Sequence, residues 1–154
     1  ANLTTIPIPV FLRGMMSLNS KIDSSNIFSH FLGSRIQTDS LVDSGLNHLI
    51  RPMLYDAYHK ITNISNPSGI ERIYAVVGYI CETDTFGWDR KLNEVREGDV
   101  LAFHNAGAYG FSMSSNYNSR FRPAEVFIYN GQAHLIRKRE SMEDLTRNQI
   151  ELEL

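Results

Sequence analysis

From residue 41 onward, the apolar residues of this chain come in short runs that are interrupted by glycine, asparagine and aspartate. Runs of roughly four to eight apolar residues between turn-forming residues are typical of strands, whereas stable helices need longer stretches with a helical period. The pattern therefore predicts a mainly β domain. A small β-barrel is favoured over an open sheet, because a closed sheet leaves no strand edge exposed.

Two segments in the middle of the chain carry the strand prediction. Residues 72–80 are almost continuously apolar, which predicts a central strand that is buried on both faces. Glu97-Gly98-Asp99 predicts a turn that leads into a short strand over residues 100–103. This second strand runs into residues 105–110, where Gly107 and Gly110 predict a loop.

The C-terminal third predicts a hairpin followed by a helix. Asn130-Gly131 separates two apolar runs and tolerates the positive φ angles of a type I′ turn, so residues 124–129 and 132–139 are expected to pair. The basic residues at 137–139 are then the solvated face of an edge strand. Ser141 and Asp144 form an acidic variant of the capping box, which predicts a helix continuing to Ile150.

Residues 1–40 differ from the rest of the chain, because they are rich in serine, asparagine and threonine. A short helix is predicted over residues 27–32, capped by Ser24 or Ser25 and ended by Gly33. This segment is left unassigned as a domain, and residues 41–154 are assigned to one β domain.

Charge and cysteine content restrict the partners and the compartment. A formal net charge of -2 over 154 residues provides no global field for nucleic acid or anionic lipid, so neither partner is expected. The single cysteine, Cys81, cannot form an internal disulfide, which favours the reducing cytoplasm. No apolar run approaches the ~18 residues of a membrane span, and the start of the chain is not typical of a secretory signal.

Two spacings indicate candidate binding residues. Arg51 and Tyr55 are four residues apart, so one helical turn would place a guanidinium group beside a phenol, an arrangement suited to binding a carboxylate. A surface arginine stacked on a tyrosine explains the same spacing. Tyr109, between two glycines, would direct its hydroxyl group at a ligand or would be a loop aromatic.

Cys81 and Glu82 directly follow the apolar strand and place a thiol and a carboxylate where the chain leaves the sheet. A buried cysteine beside a solvated glutamate is the alternative. The five histidines lack the spacings of metal ligands, and one cysteine cannot form a thiolate cluster, so no metal is expected. The glycine loop offers backbone N–H groups to an anion but lacks the lysine and hydroxyl group of a nucleotide cradle.

Taken in order, these motifs resemble the C-terminal domain of diaminopimelate decarboxylase over roughly residues 41 to 147. The motifs are Asp43-Ser44-Gly45-Leu46-Asn47, Leu49-Ile50-Arg51-Pro52, Leu54-Tyr55, Ala57-Tyr58-His59, Val76-Val77-Gly78, Cys81-Glu82-Thr83, Glu97-Gly98-Asp99, Ala106-Gly107-Ala108-Tyr109-Gly110-Phe111-Ser112-Met113, Ser115-Asn116-Tyr117-Asn118 and Arg122-Pro123-Ala124-Glu125. Ser44 and His48 depart from the residues usual in that family.

The resemblance implies an enzyme that depends on pyridoxal 5'-phosphate (PLP), with an N-terminal barrel and a C-terminal β-barrel. Such an enzyme decarboxylates meso-2,6-diaminopimelate to L-lysine, and PLP is the electron sink. Arg51 and Tyr55 would bind the substrate's distal carboxylate, and Glu82 its distal amino group. Cys81 would donate a proton across a subunit boundary, which implies a homodimer, and Tyr109 would contact the cofactor.

The resemblance also implies that the Schiff-base lysine belongs to the N-terminal PLP-binding barrel, typically ~250 residues, which this chain does not include. The chain alone is therefore not expected to decarboxylate a substrate. Two alternatives stay open: a non-catalytic dimerisation or regulatory barrel, and a related decarboxylase for another amino acid or a polyamine precursor. Arg51 with Glu82 argues against a polyamine precursor, because such substrates have no distal carboxylate.

Overall fold

The computed structural model describes residues 10–12, 15–19, 31–32, 35–36, 38–81 and 83–153. The strands are β1 (Val10–Leu12), β2 (Met15–Asn19), β3 (Phe31–Leu32), β4 (Arg35–Ile36), β5 (Thr38–Leu41), β6 (Ile61–Asn63), β7 (Glu71–Val77), β8 (Thr85–Asn93), β9 (Val100–His104), β10 (Ala124–Tyr129) and β11 (Gln132–Arg137). The helices are α1 (Arg51–Tyr55), α2 (Gly107–Met113) and α3 (Met142–Thr146), with a 3-10 helix at Tyr117–Ser119. The prediction of a mainly β domain is confirmed.

The described strands form three sheets. The largest has the order β11-β10-β1-β2-β9-β6, the second is β5-β7-β8, and β3 pairs with β4. Two of these pairs, β1 with β10 and β5 with β7, are parallel, and the other described pairs are antiparallel. β1 and β2, near the start of the chain, thus pair with β10 and β9 from its second half. Closure into a barrel and a domain boundary at residue 40 stay predictions.

The hydrophobic core lies where the three-stranded sheet meets the β9–β6 end of the large sheet. Phe86 on β8 and Phe103 on β9 are fully buried, and their ring centroids are 4.8 Å apart in an edge-to-face arrangement. Leu49, just before α1, packs in the same buried cluster. Burial of large apolar side chains is the main source of stability in a domain of this size, so this cluster fixes how the two sheets sit together.

The apolar segment over residues 72–80 is a strand only as far as Val77. β7 lies between β5 and β8, so its central position is confirmed. Burial on both faces is confirmed for Tyr74, Ala75 and Val76 but is wrong for the beginning of the strand, where Ile73 is 45% exposed. Beyond Val77 the chain turns, because the N–H group of Gly78 donates to the carbonyl oxygen of Asp84 at 2.6 Å.

The predicted turns in the second half of the chain are confirmed. Gly98 has a φ of 85° and precedes β9, while Asn130 and Gly131 have φ angles of 48° and 74° between β10 and β11. Positive φ at both central residues is what a type I′ turn requires. The edge strand β11 is exposed throughout, but it ends at Arg137 and Arg139 beyond it is partly buried.

The predicted helices have mixed outcomes. The capping box of Ser141 and Asp144 is present, but α3 ends at Thr146 instead of Ile150. It has no buried residue, and a short exposed helix gains little from being extended. Of the helix predicted over residues 27–32, Phe31 and Leu32 form β3 instead, where they pair with β4, and the remainder lies outside the described residues, as do its caps and Gly33.

Candidate active site

Arg51 and Tyr55 occupy the two ends of α1, which confirms the predicted helical turn. Pro52, near the helix N-terminus, suits this position because a proline there has no intrahelical N–H bond to lose. The helix ends at Tyr55 and is followed by the C-cap residue Asp56, whose φ of 53° is left-handed, and the N–H group of Ala57 donates to the carbonyl oxygen of Arg51 at 3.3 Å. The turn therefore holds both side chains on one short element.

Tyr109 joins this pair from a distant part of the chain. The guanidinium carbon of Arg51 lies 5.7 Å from the ring centroid of Tyr55 and 4.9 Å from that of Tyr109. Both tyrosines are more than half exposed. Such contacts are cation–π interactions, and they orient a guanidinium group while its N–H edges stay available for a carboxylate. Among the described residues, no carboxylate forms an ion pair with Arg51.

The predicted loop around Tyr109 is wrong, because residues 107–113 form α2. The two glycines do not prevent the helix: Gly110 is buried, and α2 lies against β1 and β2, so tertiary packing outweighs the weak intrinsic helix propensity of glycine. The short helix gives Tyr109 a fixed direction towards Arg51. An anion on the backbone N–H groups of this segment stays a prediction.

Cys81 lies on the turn between β7 and β8 and is exposed, so the alternative of a buried cysteine is wrong. Glu82 lies outside the described residues. Thr83, which follows, has a φ of 33°, a left-handed backbone conformation that threonine seldom adopts. The turn thus presents the thiol of Cys81 at the surface where the chain leaves the central strand.

The turn of Cys81 is attached to the segment that leads into α1. The N–H group of Tyr79 donates to the carbonyl oxygen of Ser44 at 3.0 Å, and that of Leu46 donates to the side chain of Asp84 at 2.7 Å. A groove of about 530 Å³ runs between α1 and this turn, lined by Met53 from one and Thr83 from the other. The structure thus brings Arg51, Tyr55 and Tyr109 together, with Cys81 on an adjacent turn.

Behind this surface, His48 is buried and held by two hydrogen bonds. Its Nε2 lies 3.1 Å from the carbonyl oxygen of Phe121 and its Nδ1 lies 2.8 Å from the hydroxyl oxygen of Ser44. Because a carbonyl only accepts, the arrangement assigns the proton to Nε2 and lets Nδ1 accept from Ser44. Burial lowers the pKa of His48 to about 4, so the ring is neutral at pH 7. Ser44 and His48, the two residues that depart from the family pattern, are thus hydrogen-bonded to each other.

Tyr79, Arg120 and Arg139 lie near His48, and Asp43 lies near Arg139. Burial raises the pKa of the Asp43 carboxyl group to about 7, and neither of its side-chain oxygens has a hydrogen-bond partner among the residues that the structure describes. Burial also raises the pKa of Tyr79, whose ring has the guanidinium carbon of Arg120 at 4.5 Å, and lowers the pKa of Arg139. The sequence motifs included Asp43 but gave no indication of the arginines, which lie far along the chain.

Asp84 is the residue of this region that the motifs missed most clearly. It is buried and links the turn of Cys81 to Leu46. The sequence indicates Asp84 only weakly, as a charged residue between a turn and an apolar run. Gly45 and Gly78, which belong to two separate motifs, mark the places where the backbone approaches Asp84 closely.

Neither a metal-ligand cluster nor a membrane-spanning helix is found in the described part of the chain. No group of three or more histidine, cysteine, aspartate or glutamate side chains lies close enough there to hold a metal ion. None of the described helices has the length and apolar character needed to span a bilayer.

The fold and the site thus define a mainly β domain with an arginine beside two tyrosines and with an exposed thiol on the turn after its central strand. The sequence profile described as pyridoxal-dependent decarboxylase, C-terminal sheet domain, matches residues 20–107, more than half of the chain. The chain belongs to this family.

Known relatives and structures are consistent with this membership. The diaminopimelate decarboxylase of Methanothermobacter thermautotrophicus is 50% identical over 111 residues, which are 70% of this chain and 26% of that protein. That of Haemophilus influenzae is 50% identical over 108 residues, 69% of this chain and 26% of that protein. The crystal structure of diaminopimelate decarboxylase from M. jannaschii with L-lysine has a TM-score of 0.73 at 35% identity and covers 90% of this chain and 30% of that one. The chain thus spans about a quarter of the length of the curated relatives.

Proposed function

We propose that this chain is the C-terminal domain of a diaminopimelate decarboxylase, which converts meso-2,6-diaminopimelate to L-lysine and CO2. The observation that carries the proposal is the position of Arg51, whose guanidinium group lies over two tyrosine rings without a carboxylate partner among the described residues. Further support is the 50% identity to an enzyme of that name. A substrate without a distal carboxylate would leave this guanidinium group unused.

In the proposed reaction, Arg51 and Tyr55 bind the carboxylate at the unreactive end of the substrate, and Glu82 binds the amino group at that end. Charge-assisted, bidentate hydrogen bonds give an arginine strong discrimination for a carboxylate. The thiol of Cys81 delivers a proton to the carbon that loses CO2. Exposure of this thiol supports that role, since a buried thiol would not reach a substrate.

The residues present fit one side of a PLP site. Tyr109 has an exposed ring and hydroxyl group beside Arg51, so it would contact the cofactor while Arg51 binds the substrate. When bound, PLP supplies the electron sink for the loss of CO2. The lysine that anchors PLP is assigned to an N-terminal barrel outside this chain. Lys91, for comparison, forms an ion pair with Glu71 at 2.6 Å on an exposed surface.

We also propose that the complete enzyme is a cytoplasmic homodimer in which this domain is a closed β-barrel over residues 41–154 and its Cys81 reaches the cofactor across the subunit boundary. Exposed Tyr55, Tyr109 and Cys81 support this arrangement, because an active site must be covered to exclude water. Mixing a Cys81→Ala enzyme with a variant that lacks the PLP-anchoring lysine tests it. Restored activity on mixing supports a site shared between subunits. Mixed dimers that form but stay inactive contradict it.

The substrate assignment is tested with Arg51→Ala in the complete enzyme. We expect kcat/KM on meso-diaminopimelate to fall about 10²-fold, the equivalent of ~3 kcal/mol for lost charge-assisted hydrogen bonds. The matched control is Arg72→Ala, which removes an exposed arginine paired with Glu94 at 3.0 Å. Its kcat/KM should stay near that of the parent enzyme. Equal kcat/KM in Arg51→Ala and parent would overturn the assignment.

A non-catalytic role is tested by adding this chain to a separately produced N-terminal barrel. Lysine formation on mixing supports the proposed enzyme. Firm association without lysine formation favours the dimerisation or regulatory module.

A further inference from the structure

The segment before α1 and the segment after α2 are hydrogen-bonded to each other. The N–H group of Ser115 donates to the carbonyl oxygen of Asn47 at 2.8 Å. At the next residue, Nε2 of His48 donates to the carbonyl oxygen of Phe121 at 3.1 Å. Ser115 lies two residues after the end of α2, and His48 lies three residues before the start of α1. Only a few residues therefore separate these bonds from the two helices.

His48 is a fixed part of this connection. It is 3% exposed, and both of its ring nitrogen atoms are hydrogen-bonded. The hydroxyl group of Ser44 donates to Nδ1 at 2.8 Å, which leaves the proton on Nε2 for the carbonyl oxygen of Phe121. The segment before Phe121 is itself closed, because Nδ2 of Asn116 donates to the carbonyl oxygen of Arg120 at 3.0 Å. The ring thus joins two segments that are each held by further hydrogen bonds.

The two joined segments carry Arg51 and Tyr109, which meet in the candidate site. The guanidinium carbon of Arg51 lies 4.9 Å from the ring centroid of Tyr109. In the proposed function, Tyr109 contacts the cofactor while Arg51 binds the far carboxylate of the substrate held there. The distance between α1 and α2 therefore decides whether that carboxylate reaches the guanidinium group. A bond between the segments next to these helices limits how far one helix can shift against the other.

We propose that His48 is a positioning residue for Arg51, because its bond to Phe121 holds α1 against α2. This inference rests on the proposed function and deepens it, since it names a residue on which discrimination for a distal carboxylate depends. His48 is buried and both of its ring nitrogens are occupied, so it acts through Arg51 and does not touch the substrate. It also departs from the family pattern, so the role is proposed for this chain and not for its relatives.

The test compares two substitutions of His48 in the complete enzyme that differ in the N–H group they offer. His48→Leu offers no donor, whereas His48→Gln places an amide N–H group near the position of Nε2. Misplacing a group by about 1 Å costs roughly 10²-fold, and one lost hydrogen bond should allow a smaller shift. We expect kcat/KM on meso-diaminopimelate to fall about tenfold in His48→Leu, mainly through KM, because the distal carboxylate does not react. His48→Gln should stay within about threefold of the parent enzyme. Equal values in His48→Leu and parent, or equal losses in both variants, would overturn the proposal.

Asn66→Leu is the matched control. Nδ2 of Asn66 donates to the carbonyl oxygen of Glu94 at 3.0 Å, a bond of the same kind on the loop between β6 and β7, which carries none of the proposed site residues. This variant should keep its kcat/KM. Where His48→Leu does not give folded protein, His48→Asn replaces it, because the shorter amide group does not reach Phe121. Its kcat/KM should lie below that of His48→Gln, and equal values contradict the positioning role.

A double-mutant cycle with Arg51→Ala separates an effect through Arg51 from a general loss of structure. If His48 acts by placing Arg51, His48→Leu should lower kcat/KM about tenfold in the parent enzyme and less than about twofold in the Arg51→Ala enzyme. The same loss in both backgrounds would refute the inference, since His48 would then act on another part of the enzyme.

The same measurements show which statement fails. A lowered kcat/KM in Arg51→Ala together with an unchanged kcat/KM in His48→Leu would overturn the positioning role alone. An unchanged kcat/KM in Arg51→Ala would overturn the proposed role of Arg51, and with it the reason for holding α1 against α2.

Discussion

Lowering the pH from 7 to 5 acts in opposite directions on two buried groups, His48 and Asp43. The pKa of His48 falls from 6.5 to about 4 on folding, so the unfolded chain takes up the proton first. His48 therefore supports stability above pH 6.5, and this support is lost as the pH falls towards 4. Between pH 7 and pH 5 the linkage relation gives a loss of about 2 kcal/mol from this residue.

The effect of Asp43 on stability changes with pH in the opposite direction. Its pKa rises from 3.8 to about 7 on folding, so the folded protein takes up this proton first. Stability from Asp43 is full below pH 3.8 and is lost as the pH rises through 7. Acidification from pH 7 to pH 5 therefore adds stability, about 1 kcal/mol after allowing for solvent screening of a half-buried group.

The two effects partly cancel in the parent protein, and single variants separate them. In His48→Gln only the effect of Asp43 remains. After subtraction of the changes common to all variants, the free energy of unfolding of this variant should rise by about 1 kcal/mol when the pH is lowered from 7 to 5. Asp43→Asn should lose about 2 kcal/mol over the same range. The two variants thus differ by about 3 kcal/mol, a quantity from which all other titrating groups cancel.

Urea denaturation followed by far-UV circular dichroism at pH 7 and pH 5 measures these changes. His134→Gln is the control, because His134 is exposed on the edge strand β11 and its removal should leave the pH response of the parent. Equal pH responses in His48→Gln, Asp43→Asn and parent would refute the reasoning, since neither buried group would then differ between the folded and unfolded chain.

Four further substitutions test other parts of the structure. Phe103→Ala should lower the free energy of unfolding by about 3–5 kcal/mol in urea denaturation, because it leaves a cavity against Phe86; an unchanged midpoint would contradict the packing of the two sheets. Ser141→Ala should lower the free energy of unfolding by about 1 kcal/mol, because it removes the capping box. Gly131→Ala should lower the free energy of unfolding by about 1–2 kcal/mol, because the φ of 74° at this position is left-handed. The cost comes from the backbone alone, since no atom lies within 4 Å of the added Cβ. No loss in either would refute the local geometry. Cys81→Ala in the complete enzyme should lower kcat more than it raises KM, since proton delivery acts in the transition state; steady-state kinetics with equal kcat would remove that role.

Features that depend on neighbours in the sequence were predictable. Asn130-Gly131 determines a type I′ turn because few other pairs tolerate two positive φ angles, and Ser141 with Asp144 closes a capping box within four residues. The spacing of Arg51 and Tyr55 likewise predicted one helical turn. In each case the stabilising contacts lie within a few residues of one another, so the local pattern carries the information.

Features that depend on distant contacts were not predictable in the same way. Two glycines around Tyr109 favour a loop by local propensity, yet packing of α2 against β1 and β2 makes a helix there. The strand over residues 72–80 ends early, because Asp84 draws the backbone of Gly78 and Ile80 into a turn. No periodicity in the sequence reports such a contact.

The sequence by itself determined that the chain is mainly β, where its turns fall, and which residue types are available for chemistry. Only the tertiary structure decided that Arg51 lies against Tyr109 and that Asp84 fastens the turn of Cys81 to the segment before α1. The reason is physical: turns and caps are stabilised by contacts a few bonds away, whereas a site is made by side chains that meet only after the sheets have packed.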